Sequence, residues 1–229
     1  MAEKTFTTKT VLPKKSVVDD KLRPTAEMHI LVGGPYKDVN GEEHRYGHTA
    51  LRIKTDKSDK IYDFGRYGEV TGMFGESGDG ILRVWTSFDQ YIRGENALGR
   101  KTTDFVYAIF DAQADQANVY FDGLIAAGKE LKGKSNSSRK VYKLAQSYHA
   151  LGQNCTTLSM DGAKVAIKNI DTGSTKFNKP EEVLTFSEML ALRAKGGASR
   201  LFLPANLETF LYAANPVKPL RVDVYGAKK

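Results

Sequence analysis

The sequence predicts an α+β fold in which an antiparallel sheet packs against helices. Strand-like patterns dominate the first half of the chain and helix-like spacing dominates the second half, an order that is typical of α+β proteins. The chain has 229 residues, 41% of them hydrophobic, which is enough for one substantial core. We therefore predict a polar N-terminal arm over residues 1–24 and a single domain over residues 25–229. Within that domain, residues 170–229 either complete the core or form a helical cap.

Short apolar runs between turn residues predict the strands. Residues 28–32 form such a run, and Asn40-Gly41 is a strong hairpin signal. Residues 46–54 and 60–65 flank a polar turn and are predicted to pair, with side chains 48, 50 and 52 on one face and 49, 51 and 53 on the other. The glycine-rich residues 68–80 are predicted to form a lid or rim. Further strands are predicted at residues 81–85, 105–110 and 222–225.

Apolar residues at intervals of three and four predict the helices. Asn154 is a suitable N-cap for a helix that begins at Cys155, and Pro180 and Pro204 lie near the first positions of two later helices. The predicted helices cover residues 115–131, residues 139–153, the segment from Cys155 onward, residues near 180–195 and residues 204–214.

The chain is basic, with a formal net charge of +7 and a pI of about 9.3. Such a charge favours polyanionic surroundings such as nucleic acid, an anionic membrane or a bacterial cell wall. The sequence has no run of five Lys or Arg residues and no aromatic–basic ribbon, so we expect no nucleic-acid partner. No stretch approaches the roughly 18 apolar residues of a membrane span, so we expect no stable membrane insertion. Residues 1–20 lack the apolar region of a signal peptide, and we expect synthesis in the cytoplasm without one.

Cys155 is the single cysteine, so neither an intramolecular disulfide nor a site with several thiolate ligands is expected. We expect no metal and no other cofactor. As the first residue of a helix, Cys155 faces unpaired N–H groups and the positive end of the helix dipole, both of which favour a thiolate. Its own N–H is free to stabilise an oxyanion, and Gln153 or Asn154 is a candidate second donor. The alternative is that Cys155 is a small core residue.

A nucleophilic cysteine needs a base, and His48 is the leading candidate because a rigid strand positions an imidazole well. Asp63 lies on the strand predicted to pair with the His48 strand and is the candidate that orients the ring. Glu69, Tyr46 and Asn154 are alternatives for that role. Among the other histidines, His149 is the main rival base, His44 lies in a charged run, and His29 alternates with apolar residues.

Three short motifs occur together in this chain: YGHTALRI at residues 46–53, YDFGRYG at residues 62–68 and NCTT at residues 154–157. In this combination the chain resembles the permuted NlpC/P60 group of papain-like cysteine hydrolases, in which the histidine strand precedes the cysteine helix. The resemblance implies a papain-like sheet packed on the cysteine helix, with Cys155 as nucleophile, His48 as base and Asp63 as third member. It also implies attack on an amide, ester or thioester through an acyl-enzyme.

Many members of this superfamily cleave peptide bonds in peptidoglycan, and others act on lipid acyl groups or modify proteins. The chain is also similar to cell-wall amidase toxins delivered by type VI secretion. That similarity implies peptidoglycan as substrate. We also predict Asn154, Gln153 and Tyr46 as residues that bind the oxyanion or the substrate. The similarity to these toxins further implies export by a dedicated secretion system to a target periplasm, and a cognate immunity protein as partner.

Two alternatives stay open on sequence grounds. A lipid acyltransferase or thioesterase of the same fold would need an apolar channel, for which the candidates are Met73, Phe74, Phe88 and Tyr91. A non-enzymatic basic protein that docks on an anionic partner would leave Cys155 unreactive.

Overall fold

A large antiparallel sheet with helices on both faces forms the fold. The computed structural model describes residues 23–37, 43–72, 76–97, 99–194 and 196–226. The strands in chain order are β1 Ala26–Gly33, β2 Tyr36–Lys37, β3 Glu43–His44, β4 His48–Lys54, β5 Asp59–Gly65, β6 Val70–Thr71, β7 Ser77–Gly78, β8 Ile81–Trp85, β9 Thr102–Ile109, β10 Lys129–Glu130, β11 Arg139–Lys143, β12 Tyr148–His149 and β13 Arg221–Tyr225. The α-helices are α1 Phe88–Asn96, α2 Asp111–Ala126, α3 Cys155–Ala166, α4 Phe186–Ala194 and α5 Pro204–Ala213, and 3-10 turns cover Lys132–Lys134, Ser174–Phe177 and Pro180–Glu182.

Eight strands form the main sheet, in the order β10-β11-β8-β5-β4-β1-β9-β13, and every neighbouring pair is antiparallel. Strands β12, β7 and β6 form a separate small sheet, and β2 pairs with β3. The predicted α+β class, with an antiparallel sheet packed on helices, is therefore confirmed.

The two faces of the sheet bury different sets of side chains. Leu51 and Ile53 of β4 point into the main core, which lies between the sheet and helices α2, α3 and α5. Ala50 points to the opposite face, where it packs with residues of the short helix α1. The predicted alternation of β4 side chains is confirmed, and the β4–β5 hairpin forms with Leu51 opposite Tyr62. The turn at Asn40-Gly41 and residues 1–22 of the predicted arm lie outside the described residues.

Several predicted helices differ from the observed elements. Residues 139–153 contain strands β11 and β12 instead of a helix, because their main-chain groups pair with β8 and β7. The predicted helix at 115–131 begins earlier, at Asp111, and ends at Ala126; its Val119 is exposed while Phe121 is buried. The segment near 180–195 contains a 3-10 turn and then α4. The helix at 204–214, the strand at 81–85 and the C-terminal strand agree closely with prediction.

Residues beyond 170 contribute to both the core and a border of the cysteine site. Strand β13 extends the main sheet, and Leu207 and Phe210 of α5 lie in the main core. Leu184 and Leu192, in contrast, belong to a smaller apolar cluster that includes Tyr46 and Leu151. This segment therefore completes the core through β13 and α5. Its helix α4 lies beside the start of α3.

Candidate active site

Helix α3 begins at Cys155, as the sequence predicts. Asn154 is the N-cap, and its side-chain oxygen accepts a hydrogen bond from the Thr157 N–H at 3.1 Å. The Asn154 side-chain amide donates to the carbonyl oxygens of Ala150 at 2.8 Å and Phe202 at 2.9 Å. These bonds fix the first turn of the helix and therefore the position of the thiol. They also occupy the side-chain amide of Asn154, so this amide is not available as the second oxyanion donor that the sequence suggested.

His48 is the first residue of β4, and the preceding Gly47 fixes how the chain enters that strand. Gly47 has φ +74°, and a Cβ atom there would lie 2.4 Å from the Gly33 carbonyl oxygen. Residues with a side chain rarely adopt this conformation. Gly33 is the register partner of His48 on β1. The close approach of Gly47 to Gly33 therefore fixes the backbone from which the imidazole of His48 projects.

The structure brings the three predicted catalytic residues together. His48 Nε2 lies 2.8 Å from Asp63 Oδ1, and the charge of the His48 ring acts on the buried thiol of Cys155. Because Nε2 faces the carboxylate, Nδ1 is the nitrogen left for the thiol. All three side chains are buried, with relative exposures of 5% for Cys155, 8% for His48 and 0% for Asp63.

The buried carboxylate of Asp63 accepts hydrogen bonds from several neighbouring groups besides His48. Arg83 Nε donates to Asp63 Oδ2 at 2.7 Å, Tyr67 OH donates to Oδ1 at 3.0 Å, and Trp85 Nε1 donates to Oδ2 at 3.3 Å. Arg83 lies opposite Asp63 on the neighbouring strand β8 and stacks over the Tyr67 ring. These contacts hold the carboxylate in one orientation. Arg83 and Trp85 could not be predicted from the sequence, because finding them requires knowing that β8 pairs with β5.

Cys155, His48 and Asp63 shift one another's pKa values. Burial disfavours a charged imidazole, but the charges of Asp63 and Cys155 outweigh it and raise the pKa of His48 to about 10. Burial also opposes a charged thiol, yet hydrogen bonds from His48 and the charge of its ring lower the pKa of Cys155 below its ordinary value. Asp63 is buried, which would raise its pKa, but the charges and hydrogen bonds of Arg83 and His48 hold that pKa far below its usual range. The arrangement favours a thiolate that faces an imidazolium.

Further hydrogen-bond donors surround the thiol. The backbone N–H of Thr49 and the hydroxyl of Thr156 both act to lower the pKa of Cys155, which favours the thiolate. The phenol of Tyr148 lines both clefts at the thiol, and burial together with the cysteine charge raises the pKa of Tyr148 well above its ordinary value. Tyr148 is therefore a neutral donor at neutral pH. Tyr148 was not predicted as a site residue, because the apolar residues of 139–153 have the spacing of a helix.

Two clefts meet at Cys155. Five residues border both of them: Tyr46, Gly47, Arg66, Tyr148 and Cys155. The first, which we call the apolar cleft, is completed by Glu76, Ala150, Leu151, Asn154, Leu184, Glu188, Ala191, Phe202, Leu203 and Pro204. The second, which we call the polar cleft, is completed by Tyr36, His48, Gly65, Tyr67, Arg83, Glu95 and Arg100. An extended substrate can therefore pass over the thiol with different surroundings on each side.

Tyr46 lies where the two clefts meet, and its hydroxyl donates to Glu188 of α4. Gln153 lines neither cleft; its carbonyl oxygen accepts from the His149 N–H at 2.8 Å. The exposed Glu69 also lines neither, so of the candidates for orienting the base, Asp63 is the one in contact with His48.

The other histidines and the proposed apolar channel lie elsewhere. His149 is on β12 rather than on a helix, and its Nδ1 accepts from the Leu151 N–H at 3.1 Å. His29 is buried on β1, with Nδ1 2.9 Å from Asp104 Oδ2. Phe88 and Tyr91 belong to α1 and line neither cleft, which corrects their assignment to a channel beside the cysteine. Met73 and Phe74 lie outside the described residues.

Across the described ranges, no group of three or more His, Cys, Asp or Glu side chains is arranged to hold a metal ion. Within the same ranges, no helix has the length and apolar character needed to cross a membrane. Comparison of the chain with protein-family models, with curated proteins and with solved structures finds no match.

Proposed function

We propose that this protein is a cysteine hydrolase of the permuted papain-like type, with Cys155 as nucleophile, His48 as base and Asp63 as the residue that orients the ring. The observation that carries the proposal is the buried chain of contacts from Cys155 through His48 to Asp63, at the point where two clefts meet. A cysteine that only filled the core would need neither an imidazole partner nor a place at the bottom of a cleft.

The mechanism follows from these positions. The Cys155 thiolate attacks the acyl carbon and forms a C–S bond, while the carbonyl π electrons move to oxygen. The N–H of Cys155, at the start of α3, and the phenol of Tyr148 donate to this oxyanion. The His48 imidazolium gives its proton to the leaving amine as the C–N bond breaks, which leaves a thioester. Neutral His48 then takes a proton from water, and the hydroxide equivalent releases the acid and the thiolate.

We propose amide bonds of peptidoglycan peptides as the substrate, and an antibacterial toxin that acts in a target periplasm as the biological role. This step is supported by the resemblance of the three motifs and by the net charge of +7, which favours accumulation on an acidic polymer. A cognate immunity protein and a dedicated export route belong to the same proposal.

Two measurements test the proposal together. Alkylation of Cys155 by iodoacetamide at pH 7 is expected to be rapid in the wild type and at least about tenfold slower in His48→Ala, because the thiolate is lost. Peptidoglycan sacculi are then incubated with the wild type and with Cys155→Ala, and released peptides are identified by mass spectrometry. A thiol that reacts only in denaturant would overturn the enzyme assignment and leave the basic binding protein as the explanation.

A lipid acyltransferase or thioesterase is the second candidate, because apolar side chains line one of the two clefts: Leu151, Leu184, Phe202, Leu203 and Pro204. An acyl chain in that cleft would place its carbonyl beside Cys155. Incubation of the wild type with a fatty-acyl thioester distinguishes the two candidates, since a peptidase that also needs substrate contacts in the polar cleft would release little thiol.

A further inference from the structure

The polar cleft contains three arginine side chains, and two of them are already neutralised by acids of the chain. Arg83 forms an ion pair with Asp63 at 2.5 Å, and Arg100 forms one with Glu95. These two guanidinium groups are largely buried, with side-chain exposures of 19% and 10%. They therefore organise the wall of the cleft and the base, and their charge is balanced inside the protein.

Arg66 differs from both. It directly follows β5, its side chain is exposed, and within the described part of the chain it forms no ion pair with a carboxylate. It borders both clefts together with Cys155, and its charge reaches Tyr148, the phenol that contacts the thiol. Three guanidinium groups face two carboxylates here, so one positive charge remains beside the position of the scissile bond.

The two acids of the apolar cleft do not line the polar cleft. Glu76 and Glu188 line the apolar cleft only, and Glu188 is held by Arg45 at 3.0 Å and by the Tyr46 hydroxyl. An anionic group that enters the polar cleft therefore meets the exposed guanidinium of Arg66. Arginine binds carboxylates through two parallel hydrogen bonds, which fixes orientation as well as charge.

We infer that Arg66 is a specificity-determining residue that binds a carboxylate of the substrate next to the scissile bond, so that the substrates are acidic acyl compounds such as peptides with a free carboxylate at that place. This inference rests on the proposed function, since it names the substrate class of the same site. Arg66 selects which acyl group reaches the thiol, and the Cys155–His48 pair performs the reaction whether or not Arg66 is present.

Two alkylating reagents of similar size test the inference without a known substrate. Iodoacetate and iodoacetamide both form a C–S bond with Cys155 and release iodide, but only iodoacetate carries a carboxylate. The ratio of their second-order rate constants at pH 7 is measured in the wild type and in Arg66→Gln. We expect this ratio to fall about tenfold in Arg66→Gln through slower iodoacetate alkylation alone, with the iodoacetamide rate within about twofold of wild type. Arg66→Lys, which keeps the charge, retains most of the ratio.

Arg93→Gln is the matched control, because Arg93 is an exposed arginine of α1 that pairs with Asp89 and lines neither cleft. The inference is overturned if Arg66→Gln leaves the ratio unchanged, or if Arg93→Gln lowers it equally, which would indicate a general surface charge effect. Failure of the proposed function has a different signature: the iodoacetamide rate itself would be low and insensitive to His48→Ala. Once a hydrolysed peptide is known, replacing the carboxylate beside its scissile amide with a carboxamide should lower kcat/KM in the wild type and not in Arg66→Gln.

Discussion

The hydroxyl groups of Thr49 and Thr156 lie 3.1 Å apart and join strand β4 to helix α3. Each threonine is the residue that follows a member of the proposed catalytic pair, His48 or Cys155. Ser159, one turn further along α3, donates to the Thr49 carbonyl oxygen at 3.3 Å. The strand and the helix are therefore tied together next to the thiol and the imidazole, and this contact sets the separation of the pair.

Thr156→Val is expected to lower the free energy of unfolding by about 1–2 kcal/mol, because it leaves the buried Thr49 hydroxyl without that partner. It should also shift the onset of Cys155 alkylation to higher pH, since a donor to the thiolate is lost. Urea unfolding and the alkylation profile measure the two effects. Thr209→Val, which removes an exposed hydroxyl of α5 bonded to the Ala205 carbonyl, is the control and should change neither by much. An unchanged alkylation profile in Thr156→Val would show that the threonine contact does not act on the thiol.

The dependence of Cys155 alkylation on pH follows from the direction of two pKa shifts. The thiolate forms as pH rises through the lowered pKa of Cys155, and its imidazolium partner persists until pH approaches the raised pKa of His48, about 10. The wild type should therefore alkylate well below the pH of about 8.5 at which an ordinary thiol ionises. In His48→Ala the burial of the thiol is no longer outweighed by a cation, so the curve should move above that value. Overlapping curves for the two proteins would contradict an ion pair.

Asp63→Asn tests the charge and the hydrogen bonds of the buried carboxylate beside His48. The variant removes the negative charge that raises the pKa of His48, and it replaces one accepting oxygen with an amide N–H₂ group that faces a donor in either orientation. We expect alkylation at neutral pH to slow by at least about tenfold, and stability to fall by about 3 kcal/mol because the partly buried Arg83 loses its partner.

Asp122→Asn is the control for the Asp63 variant. Asp122 is 58% exposed and lies 3.9 Å from Lys60, an arrangement that contributes little to stability. Asp122→Asn should therefore leave the alkylation rate at neutral pH and the free energy of unfolding equal to those of the wild type within error. Equal effects of the two substitutions would show that the buried carboxylate has no special role.

The parts of the site that the sequence predicts are local in the chain. Cys155 follows a good N-cap, and the hairpin of β4 and β5 brings His48 and Asp63 to one face through simple alternation. The donors that surround Asp63 depend on a pairing across the glycine-rich segment, between β5 and β8. No local pattern specifies that pairing, so Arg83 and Trp85 could not be assigned from the sequence.

Tertiary pairing also decided the segment before the cysteine. Val141, Leu144, Tyr148 and Leu151 recur at intervals of three and four residues, which favours a helix when the segment is considered alone. In the structure, β11 pairs with β8 at one edge of the main sheet, and β12 pairs with β7. Hydrogen bonding to these neighbours outweighs the local spacing, and it is this extended course that turns Tyr148 toward the thiol.

Gly47→Ala tests how the entry into β4 positions the imidazole. A methyl group would lie 2.4 Å from the Gly33 carbonyl oxygen, and the left-handed conformation itself costs about 1–2 kcal/mol for a residue with a side chain. Gly99→Ala is a matched control, because Gly99 has φ +78° and open space around its Cβ position. We expect the first variant to lose clearly more stability in urea unfolding and to slow Cys155 alkylation, and the second to show the conformational cost alone. Equal losses would mean that the contact with Gly33 relaxes without moving His48.

Tyr148→Phe tests the proposed donor to the oxyanion. The phenol contacts Cys155 from β12 and stays protonated because its pKa is raised well above 10, so it donates to a negative oxygen beside the sulfur. Removing one such donor lowers kcat by about 10²–10³-fold in hydrolases that depend on it. Simple alkylation develops no oxyanion, so the iodoacetamide rate should change far less than kcat for an amide substrate. Tyr142→Phe is the control, because Tyr142 lies on the preceding strand β11 and lines neither cleft; it should leave both rates near wild type. A fall of alkylation and hydrolysis by the same factor would instead assign Tyr148 to the positioning of the thiol.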